Sequence, residues 1–215
     1  MSTALDPAKQ QVIALDGPAG SGKSTVARML AEKLGYIHAD SGAIYRTLTL
    51  ACMERFGAAE SAEAFGAALV EQSLDASGLA GLGCAVVLER DAAGNKRQSN
   101  CIGGVDVGER IRTPEVTGRI RYIADNLACR EMVNQLLREF AAQTGVVADG
   151  RDIGTEVFPE TPFKFFLDAS VRVRAERRLA EFEAQGKPMA LADLEADIAA
   201  RDEQDRKRPV GALRA

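Results

Sequence analysis

The segment Gly17–Thr25 constrains the fold of this chain more than any other stretch. The apolar run Val12–Leu15 leads into it, and the order of glycines, lysine and hydroxyl residues matches GxxxxGK(S/T) between a strand and a helix. The glycines let successive backbone N–H groups point at one anion, and the helix N-terminus adds its dipole. The pattern predicts a nucleoside triphosphate site in which Lys23 reaches the outer phosphates and Ser24 offers its hydroxyl to magnesium. The alternative is an ordinary glycine-rich turn, which would not require the lysine.

Length and composition narrow the class of protein. A chain of 215 residues can bury a real core, and one compact α/β body with insertions is expected. The net charge of −4 argues against a general nucleic-acid or membrane-surface binder. Of 27 basic residues, 20 are arginine, whose planar fork suits phosphate, although a GC-rich genome also favours arginine.

Cysteine and histidine usage indicates where the protein works. The cysteines are far apart in sequence, without a CxxC pair, and are Cys52, Cys84, Cys101 and Cys129. His38 is the single histidine, so we expect neither a zinc site nor histidine base catalysis. The polar N-terminus and the lack of a long apolar run predict no signal peptide and no membrane span. These features together predict a cytoplasmic protein.

Alternating β and α patterns predict a parallel sheet with helices on both faces, interrupted by a hairpin. The predicted strands are Val12–Leu15, Tyr36–Ala39, Cys84–Arg90, Lys96–Ile102, Gly145–Ala148 and Phe163–Asp168. The first predicted helix has the apolar face Val26, Met29, Leu30 and Leu34 and ends at Gly35. The second has the apolar face Ile44, Leu48, Cys52 and Phe56, and Asp40 or Ser41 caps it. The other four are Ser61–Ser73, Pro114–Gln143, a helix that carries Arg172–Arg178 and a helix that carries Leu191–Ile198. Val105–Arg112 is predicted as a loop.

Polar residues follow a buried strand at Asp149-Gly150-Arg151-Asp152. Open α/β sheets bind their ligands at the carboxyl ends of the strands. One of the two aspartates is therefore a candidate to hold magnesium through water, and the other to bind a sugar or base. A charged turn without function is the alternative.

Several arginines lie where an anion could be bound. Arg46, one turn into its helix, could face an anion or be an ordinary surface residue, and Arg112 and Arg130 are further candidates. Arg174 and the Arg177–Arg178 pair share one helix face, which neighbouring glutamates could equally explain as a soluble surface. In the last helix, Arg201, Asp205 and Arg208 continue the inward apolar stripe, where charges need a partner or ligand.

The chain resembles the bacterial cytidylate kinases, a family of nucleoside monophosphate kinases, from Val12 to about Leu213. The segments that carry this resemblance are Gly17–Thr25, Asp40–Arg46, Ile111–Val116, Asp149–Thr155 and Arg201–Arg208. The resemblance implies a P-loop kinase fold with a five-stranded parallel sheet, helices on both faces and a hairpin insert. It implies a single domain whose core is 11–73, 113–171 and 189–215, with a monophosphate-binding insert at about 74–112 and a lid at about 172–188.

The resemblance also implies roles for individual residues. The implied catalytic residues are Lys23, Arg151, Arg174 and Arg178. The implied ATP-binding residues are Gly17, Pro18, Ala19, Gly20, Ser21, Gly22, Lys23, Ser24 and Thr25. The implied contacts of CMP are Ser41, Arg46, Arg112, Arg130, Asp152, Arg201, Asp205 and Arg208. The implied magnesium ligands are Ser24 and Asp149.

Two positions depart from the family pattern. Arg121 stands where the family uses a serine near the cytosine, and Leu127 stands where it usually has a proline. Family members also continue beyond this chain with a final strand and helix, beside which a loop helps to hold adenine. The last strand of the fold is therefore expected to be missing.

The residue types suit transfer of a phosphoryl group to another phosphate. An acceptor phosphate is already ionised, so catalysis needs positioning and charge neutralisation instead of a general base. We expect ATP and CMP or dCMP to give ADP and CDP or dCDP, with ATP and Mg²⁺ required, in a monomer without nucleic-acid or membrane partners. The alternatives are a P-loop kinase for UMP or a metabolite, where Asp152 would be the base for an alcohol, and a nucleotide-binding module without turnover. A GTPase switch would need an Asn-Lys-x-Asp motif, which the sequence lacks.

Overall fold

The computed structural model describes residues 11–57, 61–71, 76–184, 186 and 189–215. The strands are β1 (Val12–Asp16), β2 (Ile37–Asp40), β3 (Cys84–Arg90), β4 (Lys96–Ile102), β5 (Val105–Asp106), β6 (Val146–Gly150) and β7 (Phe163–Phe166). The α-helices are α1 (Lys23–Leu34), α2 (Ser41–Phe56), α3 (Ala62–Glu71), α4 (Ala76–Ala80), α5 (Pro114–Ala124), α6 (Leu127–Ala141), α7 (Val171–Ala184) and α8 (Leu191–Lys207). Contacts divide the chain into two compact units, of which the first holds Ile37–Val146 and the second holds Val12–Tyr36 and Val147–Ala215.

The second unit is built around β1, which β6 and β7 flank in the sheet. β7 pairs with β1 in parallel, from Ile13 opposite Phe163 to Asp16 opposite Phe166. The predicted α/β class with a parallel sheet and flanking helices is confirmed. In this unit the described strands follow the order β6-β1-β7, and the five-stranded sheet that the resemblance implied stays a prediction.

Helix α1 packs on the sheet through a face that matches the predicted one only in part, because Leu30 and Leu34 lie against the core but Val26 and Met29 do not. Ala27 and Ala31 are buried against Ile13, Leu15 and Val147, whereas Val26 is 43 % exposed and Met29 is 56 % exposed. The phosphate loop fixes the rotation of the helix, because Lys23 must point inward and residues four apart share a face. Ala27 and Ala31 follow Lys23 on that face, so Val26 and Met29 turn outward, whereas Leu30 and Leu34 at the edge of the face are partly buried.

The first unit contains the predicted hairpin. β3 and β4 pair antiparallel from Cys84 opposite Ile102 to Arg90 opposite Lys96. The predicted loop Val105–Arg112 is wrong, because it contains β5, which pairs with β4, and a 3₁₀-helix over Gly108–Arg112. Gly103 and Gly104 both adopt positive φ, which lets the chain reverse at once and return along β4.

Helix α2 begins and packs as its sequence pattern indicates. Asp40 is the N-cap, and its side chain accepts a hydrogen bond from the backbone N–H of Ala43 at 3.0 Å. Ile44, Leu48 and Cys52 are buried along the predicted face, whereas Phe56, its fourth residue, is only partly buried. Ser41 is the first residue of the helix and is also buried.

The single predicted helix Pro114–Gln143 is wrong, because the structure has two helices in that region. α5 ends at Ala124, and α6 starts at Leu127 after a break at Asp125 and Asn126. The side chain of Asn126 accepts a hydrogen bond from the backbone N–H of Cys129 at 3.0 Å and so caps α6. The backbone N–H groups in the first turn of a helix have no partner within the helix, so α6 requires this side-chain acceptor. In one uninterrupted helix the same N–H groups would bond to the preceding turn.

Replacing Asn126 with alanine is expected to lower the free energy of unfolding by about 1 kcal/mol, because the first turn of α6 loses its side-chain cap. Chemical denaturation of the purified variant measures this change. Asn126→Asp is the matched control, since aspartate caps helices as well as asparagine does. Equal losses in both variants would show that the cap does not carry the effect.

Some predictions extend beyond the described residues. The predicted helix Ser61–Ser73 corresponds to α3, and its last two residues lie outside the description, as do parts of the proposed insert and lid. The domain boundaries stay predictions.

No helix among the described residues is both long and apolar enough to span a membrane.

Candidate active site

The loop between β1 and α1 has a backbone that only glycine tolerates at its start. Gly17 has φ 153°, and a Cβ built on it would lie 2.1 Å from the backbone oxygen of Leu167. Gly20 and Gly22 have φ values of 76° and 95°. Gly22 is the N-cap of α1 and provides no side-chain cap, so the first N–H groups of the helix lack a side-chain acceptor. This arrangement suits an anion at the helix N-terminus.

Lys23 is buried beside this loop. Its side chain is held by a hydrogen bond from Nζ to the backbone oxygen of Pro18 at 2.9 Å, and the residue is 6 % exposed. Burial lowers the pKa of Lys23 to about 7, with a further lowering by the guanidinium of Arg151. A bound phosphate would favour the charged form, because an opposite charge nearby raises the pKa of a lysine. Ser21 adds a buried hydroxyl without a partner among the described residues, which favours a polar ligand.

Ser24 and Asp149, the two predicted magnesium ligands, contact each other. The hydroxyl of Ser24 donates a hydrogen bond to Oδ2 of Asp149 at 2.6 Å, and Asp149 lies buried near the end of β6. Hydroxyl and carboxylate oxygens are ligands that Mg²⁺ accepts, and this ion usually takes few protein ligands together with water and substrate phosphates. No cluster of three or more acidic, cysteine or histidine ligands occurs in the part of the chain described. A hydroxyl and a carboxylate in contact fit a magnesium ion that is shared with nucleotide phosphates.

Asp16 is a site residue that sequence reasoning missed. It is buried at the end of β1, and its two carboxylate oxygens accept hydrogen bonds from the backbone N–H groups of Ile153 at 2.7 Å and Gly154 at 2.8 Å. Burial raises the pKa of this carboxyl group. The contacts hold the π-helix Ile153–Val157, which follows Asp152, against the strand that precedes the phosphate loop. Its position directly before Gly17 was the available signal.

Three of the predicted residues form one charged cluster in the second unit. Nε of Arg151 donates to Oδ2 of Asp205 at 2.8 Å, and Nη2 of Arg208 lies 2.9 Å from Oδ1 of the same carboxylate. The side chain of Asp205 is 4 % exposed. A single buried carboxylate thus orients two guanidinium groups, which favours a further anion beside them. Asp152, which is also a predicted contact of CMP, directly follows Arg151 in the sequence and is buried.

The inward face of α8 differs in part from its prediction. Arg201 lines a cavity with Leu194 and Ile198, as the helical spacing indicated, but it is exposed there. Arg208 lies just beyond the helix, which ends at Lys207. Asp202, which the sequence interpretation left without a role, is buried. The burial of Asp202 is possible because an arginine compensates its charge.

That partner is Arg174 of α7. Its guanidinium donates two hydrogen bonds to the carboxylate of Asp202, one of them at 3.0 Å, and others to the backbone oxygens of Ala19 and Ala169. Arg177 donates to the backbone oxygens of Gly20 and Ser21 at 3.3 and 3.2 Å. Helix α7 therefore touches the phosphate loop directly, although Arg174, predicted as a catalytic lid residue, has its guanidinium committed to the protein in this arrangement.

The cavity above the loop has a volume of about 520 Å³. The residues that line it include Lys23, Ser24, Thr25, Arg174, Arg177, Arg178, Phe182, Met189, Leu194 and Arg201. Arg178 lies over the ring of Phe182, with 4.9 Å between the guanidinium carbon and the ring centroid. The volume is typical of a small-molecule site, and a lining that combines cations with apolar groups suits a nucleotide.

The predicted residues of the first unit have the following surroundings. Nη1 of Arg46 donates to the hydroxyl of Thr117 at 3.4 Å. Arg130 is buried, with Nη1 donating to the backbone oxygen of Ala124 at 2.9 Å. Arg112 is exposed and lies 3.5 Å from a carboxylate oxygen of Glu109.

The departure at Arg121 also has a structural explanation. Its guanidinium donates to the carboxylate of Glu63 on α3 at 2.9 Å and lies 4.6 Å from the ring centroid of Tyr122. Both contacts lie on the side of α5 that faces α3. Arg121 thus serves helix packing in this arrangement, which the family pattern alone did not indicate.

The amino-acid sequence of this chain is similar to those of known proteins. Residues 13–215 match the family model described as cytidylate kinase. The chain is similar to a cytidylate kinase of Symbiobacterium thermophilum, with 40 % identity over 208 residues that cover 97 % of this chain and 86 % of the relative. A cytidylate kinase of Geobacter sulfurreducens is 39 % identical over 203 residues, covering 94 % of this chain and 81 % of the relative. A bifunctional pantoate ligase/cytidylate kinase of Synechocystis is 42 % identical over 208 residues, which are 94 % of this chain and 37 % of that protein.

Proposed function

The chain belongs to the cytidylate kinase family, and we propose that it transfers the γ-phosphoryl group of ATP to CMP or dCMP, giving ADP and CDP or dCDP. It is an ATP-dependent nucleoside monophosphate kinase, that is, a phosphotransferase with a phosphate acceptor. The observation that carries this proposal is the pairing, within one compact unit, of a phosphate loop with the cluster of Arg151, Asp205 and Arg208.

The donor is proposed to bind at Gly17–Thr25. Backbone N–H groups of the loop and of α1 bind its phosphates, and Lys23 compensates the charge of the outer phosphates. Ser24 and Asp149 would hold Mg²⁺, which when bound neutralises phosphate charge and orients the phosphate chain. Arg177 and Arg178, at the wall of the cavity, are proposed to help exclude water from the reacting group.

The acceptor is proposed to bind at the charged cluster. An ionised phosphate oxygen of CMP is already nucleophilic, so the protein must overcome repulsion between two polyanions. Arg151 and Arg208, oriented by Asp205, supply charge for this purpose. Asp152 and Arg201 are proposed contacts of the sugar. Four residues of the first unit remain proposed contacts of CMP, namely Ser41, Arg46, Arg112 and Arg130.

The test is a coupled assay of ADP formation with CMP, dCMP, UMP, AMP and shikimate as acceptors. We expect CMP and dCMP to give kcat/KM at least about 10-fold above the other acceptors, since a site that hydrogen-bonds one base discriminates against another. Preference for UMP or AMP would instead support a kinase for another nucleotide, and preference for an alcohol such as shikimate would support a metabolite kinase in which Asp152 would act as base. ATP binding without turnover of any acceptor would support a nucleotide-binding module.

Cell location and assembly belong to the same proposal. A kinase that consumes ATP and CMP is proposed to work in the cytoplasm, where both nucleotides are present. The four cysteines are free thiols, as expected in a reducing compartment. We propose a monomer without nucleic-acid or membrane partners, which size measurements in solution would test.

A further inference from the structure

A buried ion pair joins α7 to α8 beneath the cavity. Arg174 and Asp202 have side chains that are each 2 % exposed, and two hydrogen bonds link the guanidinium to the carboxylate. Arg206 comes within 3.9 Å of the same carboxylate, but its side chain is half exposed and cannot take the buried position. A buried pair of this geometry is strongly coupled, because removing either partner leaves the other charge without compensation.

The same arginine reaches the donor site. Nη1 of Arg174 donates to the backbone oxygen of Ala19 at 3.1 Å. Its side chain also covers Gly20, where a Cβ would lie 3.5 Å from that of Arg174. On the other side, Nε donates to the backbone oxygen of Ala169 at 2.8 Å. The guanidinium of Arg174 therefore bridges the phosphate loop and the residues just before α7.

We propose that Asp202 is a positioning residue for the donor phosphates. By fixing the guanidinium of Arg174, it holds the Ala19 carbonyl and so the curvature of the phosphate loop. Asp202 lies one turn from Asp205, which orients Arg151 and Arg208. Helix α8 thus sets the position of both the donor loop and the acceptor cluster.

This inference rests on the proposed function only for the identity of the acceptor. The effect expected first, weaker binding of ATP, does not depend on which acceptor is used. Without Asp202, the phosphate loop is held by fewer contacts and must be ordered when ATP binds. The entropy lost in ordering the loop weakens the binding of ATP. Asp202 itself touches neither substrate in this assignment. The effect of its loss should consequently appear in the affinity for ATP and leave the affinity for CMP unchanged.

The experiment compares Asp202→Asn and Glu203→Gln in the full chain. Glu203 is the exposed neighbour on α8 and pairs with Lys207, so it is the matched control. ATP binding is measured by calorimetry without acceptor, and KM for ATP and for CMP by the coupled assay, well below the unfolding midpoint of each variant. Asp202→Asn should weaken ATP binding and raise KM for ATP about 10-fold, with KM for CMP within about twofold of wild type, whereas Glu203→Gln should change neither.

A second variant separates positioning from folding. Arg174→Lys keeps a cation for Asp202 but lacks the fork that reaches Ala19 at the same time. It should weaken ATP binding with a smaller loss of thermal stability than Asp202→Asn, and it also serves if Asp202→Asn does not fold. The double variant should bind ATP no more weakly than the worse single variant.

Unchanged ATP affinity in both variants, whatever their stability, would overturn the inference and leave the ion pair a purely structural contact. A rise in KM for CMP alone would also overturn it and move Asp202 to the acceptor site. If the wild-type chain binds ATP but does not phosphorylate CMP, the proposed function fails, while the ATP affinities of the variants still decide the role of Asp202.

Discussion

Replacing Lys23 with methionine is expected to lower kcat/KM with ATP and CMP about 1000-fold, at the upper end of the cost of losing one charge-stabilising group. Methionine fills a similar volume but brings no charge to the phosphates. Thermal stability should not fall, because burial and Arg151 already disfavour the charge of Lys23 in the empty site and hold its pKa at about 7. The variant should therefore be a folded and nearly inactive protein.

Steady-state assays and thermal unfolding without nucleotide or metal measure these two effects together. Lys33→Met is the matched control, because Lys33 lies exposed in the last turn of the same helix. It should keep the activity and stability of wild type. More than about a tenth of wild-type activity in Lys23→Met would contradict the donor assignment, since a missing phosphate contact of this kind costs at least about 100-fold.

Replacing Asp205 with asparagine is expected to raise KM for CMP about 100-fold and to change KM for ATP much less. The carboxylate accepts from both Arg151 and Arg208, whereas an amide has one oxygen and would turn an N–H₂ group toward the second guanidinium. The two arginines would repel each other and lose their orientation. Breaking a buried charged contact costs about 3 kcal/mol or more, which corresponds to about 100-fold in binding.

The assay varies CMP at saturating ATP and then ATP at saturating CMP. Glu203→Gln, two positions earlier on α8 and exposed, again provides the control and should behave as wild type. Thermal unfolding of Asp205→Asn should also shift to lower temperature, and CMP should restore part of the loss, because a bound phosphate supplies the missing negative charge. An equal rise in both KM values would indicate general disruption and contradict a specific acceptor role.

Local sequence patterns predicted the elements whose signals lie within a few residues. The hairpin of Cys84–Arg90 and Lys96–Ile102 follows its predicted bounds, and Gly35 ends α1 in a left-handed conformation. The break between α5 and α6 was also visible in principle. Leu127 is the first residue of α6, where proline is common, so the proline that the family usually has at this position marks a helix start.

The errors arose where one contact overrode a pattern. Val26 and Met29 looked like the buried face of α1, but the inward direction of Lys23 turned them toward solvent. Arg174 is predicted as a catalytic lid residue because its helix carries several arginines, and this role stays a prediction, but the enclosed carboxylate of Asp202 gives it surroundings that Arg178 does not have. A buried pair 28 residues apart leaves no signal at helical spacing.

The sequence by itself determined the family, the phosphate loop and the chemistry, because GxxxxGK(S/T), the arginine-rich motifs and the absence of other catalytic constellations are local features of the chain. The tertiary structure decided which charges are enclosed and paired within the protein and which stay exposed. Asp16, Asp202 and Asp205 are all aspartates near glycine or arginine in sequence, yet one holds backbone amides, one holds a single buried arginine and one orients two. Burial and the partners brought together by folding fix the cost and use of a charge, and neither can be computed from the neighbours of a residue along the chain.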